Sequence, residues 1–293
     1  MTRLFTFSAI ALTITTLAAA PAWAGEGRSG GRLLLTSGVS TVEGATGGGL
    51  STWSFISGSE TRDGVGGAAF LSQVPLRSFD LRVAGASVGL WNRVELSYAN
   101  QRFDTGRAGA ALGLGRDFLF RQDIFGAKLR LVGDAVWDQD RWWPQVAVGV
   151  QYRRADKAGV LAAIGARRHE DADFTLSATK VVLAHGLVAN ATLRWTRANQ
   201  FGLLGFGGDR RGRRSVQVEA SLGKLLTRNL LVGGEYRSKP DNLGFARERD
   251  AYDLFAAWAF HRHATVTAAY VDLGPIATFR RQRGAFLSLQ LGI

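Results

Sequence analysis

The sequence predicts an all-β fold: a transmembrane antiparallel up-and-down β-barrel of about 12–14 strands, after a cleaved signal peptide. Three observations predict it. Segments of about ten residues alternate apolar and polar side chains with period two, as in a strand whose two faces meet different surroundings. The composition, 37 Gly against 5 Pro with 46% hydrophobic and 10% aromatic residues, suits many strands joined by tight turns. Past residue 24, no stretch reaches the ~18 continuous apolar residues that a spanning helix requires, so any membrane crossing falls to strands.

From the N-terminus, residues 1–24 begin with Arg3, run through apolar Leu4–Ala20 and end in Ala22-Trp23-Ala24, a small-x-small cleavage pattern before Gly25. This segment is expected to be an export signal. Residues 25–45 are expected to form either an extra strand or a segment folded into the lumen, and residues 46–293 the barrel.

Along the barrel region, Val94, Leu96 and Tyr98 oppose Glu95 and Ser97, and Leu129 and Leu131 oppose Lys128, Arg130 and Asp134. Val146, Val148, Val150 and Tyr152 oppose Gln151 and Arg153; Leu193 and Trp195 oppose Thr192 and Arg194; Val216 and Val218 oppose Gln217 and Glu219. Later segments set Val232 and Tyr236 against Glu235 and Arg237, Leu254 and Trp258 against Asp253, and Leu287 and Leu289 against Ser288 and Gln290. A soluble sandwich shows the same alternation. Aromatics expected near strand ends (Trp91, Phe103, Trp137, Trp142, Trp143, Trp195 and Phe260) and charges of both signs within polar faces favour a membrane barrel instead. The last strand, Gly284–Ile293, resembles the insertion signal of such barrels, with Ile293 in place of the usual aromatic residue.

Counting back from that strand, Gly274–Arg283, Lys239–Asp250, Asn199–Arg214, Arg168–Asp173 and Asp138–Trp142 are expected outside. His261–His263, Leu225–Arg228, Ala184–Gly186 and Arg154–Ala158 are then the periplasmic turns.

There is no Cys, which excludes disulfides, cysteine-ligated metals and thiol nucleophiles. A formal net charge of +12 favours anionic partners, and the export signal argues against nucleic acid. The lumen-lining candidates are Glu95, Lys128, Arg130, Asp134, Arg153, Arg194, Glu219, Glu235, Arg237 and Asp253. If these pair across the barrel they seal it; if they segregate by sign around water they make a selective pore. Arg210, Arg211, Arg213 and Arg214 in one outer loop, and Arg280, Arg281 and Arg283 in another, are candidates for binding phosphate or carboxylate groups.

Neither Gly-rich run, Gly47-Gly48-Gly49 or Asn199–Arg210, has the helix N-terminus and Lys or Ser/Thr that a phosphate loop needs. His261 and His263 are spaced for a metal, but no third ligand lies nearby, and His169 and His185 join no Ser–His arrangement. No catalytic, cofactor-binding or metal-binding residue is expected.

GRLLLTSGVSTVEGATGGGLSTW, RVELSYANQRFDT, FGAKLRLVGDAVWDQD, WPQVAVGVQYR, TRANQFGLLGFGGDR, YRSKPDNLGFARERDAYDLF and VTAAYVDLG together resemble a family of bacterial outer-membrane barrels, the domain of unknown function 3034. The resemblance covers nearly all of the chain after residue 24 and implies the barrel fold, without a substrate, cofactor or catalytic residue. The expected function is a passive outer-membrane channel or uptake barrel for a small anionic solute; the alternatives are a non-conducting structural or lipopolysaccharide-binding barrel and, third, a lipid-modifying barrel enzyme. Expected partners are outer-membrane lipid, lipopolysaccharide and the barrel-assembly machinery.

Overall fold

The computed structural model describes residues 33–59, 64–138 and 140–293. The expected signal peptide lies outside the described residues. Twelve strands close into one antiparallel barrel: β3 (Val65–Pro75), β4 (Asp80–Leu90), β5 (Val94–Asp104), β6 (Leu119–Val132), β7 (Gln145–Ala155), β8 (Glu170–Val182), β9 (Leu187–Thr196), β10 (Ser215–Thr227), β11 (Leu230–Arg237), β12 (Ala251–His261), β13 (Ala264–Asp272) and β14 (Arg283–Gly292). Each pairs with its neighbours in sequence, and β14 closes on β3 with Leu287 opposite Gln73 and Gly292 opposite Ala68. Closure leaves no free sheet edge, the condition for a sheet to cross hydrocarbon. No described helix is long and apolar enough to do so.

The period-two pattern becomes the two surfaces of the wall. Leu193, Val218, Leu254 and Leu289 point outward and are exposed, while Thr192, Glu219, Asp253 and Ser288 are buried inside. Exposed Tyr152, Phe174, Trp195, Tyr252 and Tyr270 ring the wall toward one end, and Trp91, Trp258 and Phe260 mark the other, where amphipathic rings meet the lipid headgroups. Phe103 departs from that expectation: it faces inward and stacks on Phe79 at 5.0 Å.

Loops 105–118, 156–169, 197–214, 238–250 and 273–282 share one end of the barrel, and turns 91–93, 183–186, 228–229 and 262–263 the other. Long loops face outward and short turns face the periplasm in this architecture, which makes the first end extracellular. Two expected placements are corrected. Residues 154–158 belong to the long-loop end and 138–142 to the short-turn end, because Ala158–Ala163 forms a helix, α2, where the sequence count required a strand. Its Ala-Gly-Val-Leu-Ala-Ala run is too short to cross a membrane and buries Leu161 under the loops. A second short helix, α1 (Gly106–Ala111), lies in loop 105–118.

The barrel boundary expected at residue 46 is also corrected: the first wall strand begins at Val65. Residues 33–59 form a small separate hairpin, in which β1 (Val39–Ser40) pairs with β2 (Thr46–Gly47), and none of it joins the wall. It lies in the lumen. Trp53, Phe55, Leu35 and Val39 pack against Val181, Val188, Leu231, Phe255 and Ala257 toward the short-turn end. At the other end, inward Phe70, Val74, Leu81, Val83, Phe103, Phe120, Ile124 and Phe286 form an apolar half-wall on β3–β6 and β14, capped by Leu161, Leu203 and Ile276 from the loops. Most of the buried interior charges lie opposite, on β7–β11, with Glu95 on β5, Lys128 on β6 and Asp253 on β12 besides.

Candidate functional site

The hairpin enters and leaves at the short-turn end. Leu33–Leu35 lie beside Arg262, His263 and Thr265, and the Ser59 amide donates to the Ile293 carbonyl at 3.1 Å. Between these points part of its backbone bonds to itself, as Val42 and Trp53 do to the Gly49 and Thr46 carbonyls, and further amides are met by wall carboxylates. The Leu50 amide donates to Glu235 Oε2 at 2.7 Å, Thr52 to Glu219 Oε2 at 2.8 Å, and Thr46 and Ser57 to the two oxygens of Glu95 at 3.1 and 2.9 Å. Trp53 is fully buried, and its indole N–H donates to Ser221 Oγ at 2.9 Å. The Gly47-Gly48-Gly49 run makes this approach possible, since a Cβ on Gly48 would stand 2.3 Å from Glu235 Oε1.

At the tip of the hairpin, Glu43 is completely buried against three arginines. Arg153 from β7 reaches Glu43 Oε1 at 2.8 Å, Arg237 from β11 reaches the same oxygen at 2.7 Å, and Arg194 from β9 lies 3.3 Å from Oε2. The odd-numbered strands β7, β9 and β11 all rise toward the long-loop end, so residues near their ends stand at one height and face inward together. Two wall carboxylates complete the cluster: Glu219, 3.3 Å from Arg237 and bonded to Arg194 Nε, and Asp173, 3.1 Å from Arg153. Buried charges of this kind persist only when paired.

Loop 197–214 covers the cluster from the extracellular side. Gln200 and Phe201 both adopt left-handed backbone, at φ 46° and 59°, which turns the Phe201 carbonyl onto Arg153 at 2.7 Å and its ring over Arg237 at 4.5 Å. Such conformations cost free energy in non-glycine residues and persist where surroundings enforce them. Here the enforcement comes from Glu248, whose carboxylate accepts from the Gln200 amide and side chain at 2.9 and 2.6 Å and pairs with Lys239 at 3.0 Å. Burial pushes the Glu248 carboxyl above its ordinary range, against the pull of Lys239. The run Asn199–Arg210, expected within an outer loop, thus includes a packed cap in which Asn199, Gln200 and Gly202 are buried.

Of the remaining lumen candidates, Lys128 pairs with Glu95 at 3.1 Å and donates to the Phe55 carbonyl at 2.8 Å. Glu235 and Asp253 stand opposite each other on β11 and β12. Asp134 lies beyond the end of β6, where it holds Arg130 at 2.7 Å near the short-turn end. Of the outer-loop candidates, Arg210 pairs with Asp241 and Arg214 with Asp171, while Arg283 is the first residue of β14 and pairs with Asp272 at the end of β13. Arg211, Arg213, Arg280 and Arg281 have no acidic partner within salt-bridge distance among the described residues. Sequence reasoning missed Glu43, Trp53, Asp173, Lys239 and Glu248. For Asp173 a signal existed, because β8 alternates as its neighbours do; Glu43 lies in a segment with no periodicity to assign it a face.

Residues 36–290 match the family model described as "Protein of unknown function (DUF3034)". Among solved structures, "KdgM porin in complex with disordered oligogalacturonate" is similar with a TM-score of 0.51 at 8% identity, over 76% of this chain and 98% of that one. "KdgM porin" gives 0.49 at 8% identity over the same shares, and outer membrane phospholipase A from Escherichia coli gives 0.41 at 7%, over 78% and 92%. At these identities the likeness is one of fold: a bacterial outer-membrane barrel. A search of the curated proteins finds no match.

Proposed function

We propose that this chain, which belongs to the DUF3034 family, is an outer-membrane uptake barrel for small anionic solutes, closed in the described state by residues 33–59. The observation that carries the reading is what fills the lumen. The charged half-wall of β7–β11 is met by a segment covalently outside the wall rather than by side chains reaching across from the opposite strands. A barrel sealed by its own wall stays sealed; one sealed by a tethered hairpin opens when the hairpin moves. Exposed Arg211, Arg213, Arg280 and Arg281 at the long-loop end suit contact with lipopolysaccharide phosphates or an entrance field for anions. No catalytic step is part of this reading.

Purified protein in a planar bilayer tests it. The expected result is low resting conductance with discrete openings, made more frequent by Trp53→Ala, which removes the hairpin's largest buried anchor. A second reading, a non-conducting structural barrel, draws on the completeness of the burial of Glu43 and Trp53. Folded protein silent in both forms would establish the second reading and overturn the first.

A further inference from the structure

We infer that Arg153, Arg194 and Arg237 form a binding site for one carboxylate of a passing solute, and that Glu43 occupies it as a tethered stand-in while the lumen is closed. This deepens the uptake reading and rests on it. The first support is geometric: guanidinium groups from three strands converge on a single carboxylate, at 2.7, 2.8 and 3.3 Å. A wall built only for rigidity would supply the counter-charges itself. This one falls short by one, since Glu219 and Asp173 balance two of the three arginines and the third charge is balanced by Glu43 from the hairpin.

The second support is unspent donor capacity. Arg153 Nε and Gln151 Nε2 are buried at the cluster with no hydrogen-bond partner, although Gln151 Oε1 accepts from both Arg153 and Arg194, at 2.8 and 2.6 Å. Buried donors are nearly always satisfied. A solute bearing oxygen beside its carboxylate would engage them, whereas Glu43, with only methylenes behind its carboxylate, does not. The third support is access. Between the cluster and the extracellular mouth lies Phe201, whose carbonyl and ring occupy Arg153 and Arg237. A solute arriving from outside would displace Phe201 and then compete with Glu43, so binding and release of the hairpin would be one event. The ligand class that fits is a small carboxylate rich in hydroxyl or ether oxygen.

Chemical rescue tests the site in the full chain. Glu43→Ala removes the tethered carboxylate and leaves its space; acetate is expected to raise the variant's thermal unfolding midpoint in a saturable way, while acetamide and chloride at equal ionic strength do not. Glu43→Gln, which fills the space without charge, and the unaltered protein should show no such shift. Adding Arg153→Gln to Glu43→Ala should weaken acetate roughly tenfold, as loss of one charge-assisted hydrogen bond implies. If Glu43→Ala does not fold in chloride, its refolding yield in acetate against acetamide is the same measurement. Equal effects of acetate and acetamide, or an acetate effect as large in the unaltered protein, would overturn the site. Conductance separates the two claims: rescue without openings leaves the site and removes the uptake reading, and openings without rescue do the reverse.

Discussion

At Glu43 a single carboxylate serves three guanidinium groups, so removing it strands more charge than removing any one arginine. Glu43→Ala in chloride is expected to lower stability by about 3–5 kcal/mol, the usual cost of breaking a buried pair from one side. Arg153→Gln, which leaves Arg194 and Arg237 on Glu43, should cost less. Urea unfolding of the two variants in detergent decides it, and equal losses would mean that the cluster does not act as one unit. Glu248 makes a second case, with a pH sign. Its carboxyl is raised by burial above the ordinary value of 4.5, despite Lys239 and with Asp241 adding to the rise. An acid held above its unfolded value binds its proton more tightly when folded, so its contribution to stability grows as pH falls through the folded value toward 4.5. The thermal midpoint should therefore carry a component that rises on acidification toward the ordinary carboxyl value of 4.5, and Glu248→Gln should lack it. Neither residue stood out in the sequence, because a lone Glu in a Gly-rich segment or a loop has no face assigned by periodicity, and its significance exists only once distant strands bring arginines to it.

Wall strands, by contrast, were legible. Lipid outside and a polar lumen inside impose a period of two on every strand, and the alternation of β7, β9, β10, β12 and β14 is the trace of that constraint. Arg at Leu193 or Leu289, exposed on the outward face, should cost up to roughly 2–4 kcal/mol, with less at Val218 beside Ser238 near the extracellular end and far less at half-buried Gln217. Equal tolerance in refolding titrations would reject the assigned faces. Thr192, which alternation places on the polar inward face, has no room for Arg: its hydroxyl bonds the Thr52 carbonyl at 2.7 Å and Ser177 at 2.9 Å. The elements that alternation left open or missed, the hairpin, whose first half was expected as either an extra strand or a lumenal segment, and α2, are those that do not touch lipid. They answer to packing against a particular interior, which leaves no repeat. Gly48 shows the dependence: any side chain there collides with Glu235 and Trp53. Gly48→Val should loosen the hairpin and raise opening frequency in bilayers while leaving the outer wall intact; unchanged gating would mean that this turn does not hold the closed state.

Across the whole molecule, net charge is a poor guide to what an opened lumen would prefer. Among the described residues, the inward strand positions carry five bases (Lys128, Arg130, Arg153, Arg194 and Arg237) and six acids (Glu95, Asp171, Asp173, Glu219, Glu235 and Asp253), so the wall has no net positive charge despite the basic chain. What the fold supplies is separation along the axis. Three arginines gather near the extracellular end, Glu235 and Asp253 sit opposite each other deeper in, and Arg130 is neutralised by Asp134 at the short-turn end. With the hairpin displaced, the arginine ring keeps one uncompensated positive charge within a low-dielectric wall, and such a ring discriminates by the field it focuses rather than by the charge of the protein. Reversal potentials in a salt gradient should therefore show anion preference in the open states of Trp53→Ala. Replacing Arg153 and Arg237 by Gln should abolish it, and replacing Arg130 should not, since Arg130 lies at the other end with its own partner. Cation preference in the open state, or a preference that follows Arg130 instead, would place the selective ring elsewhere in the barrel.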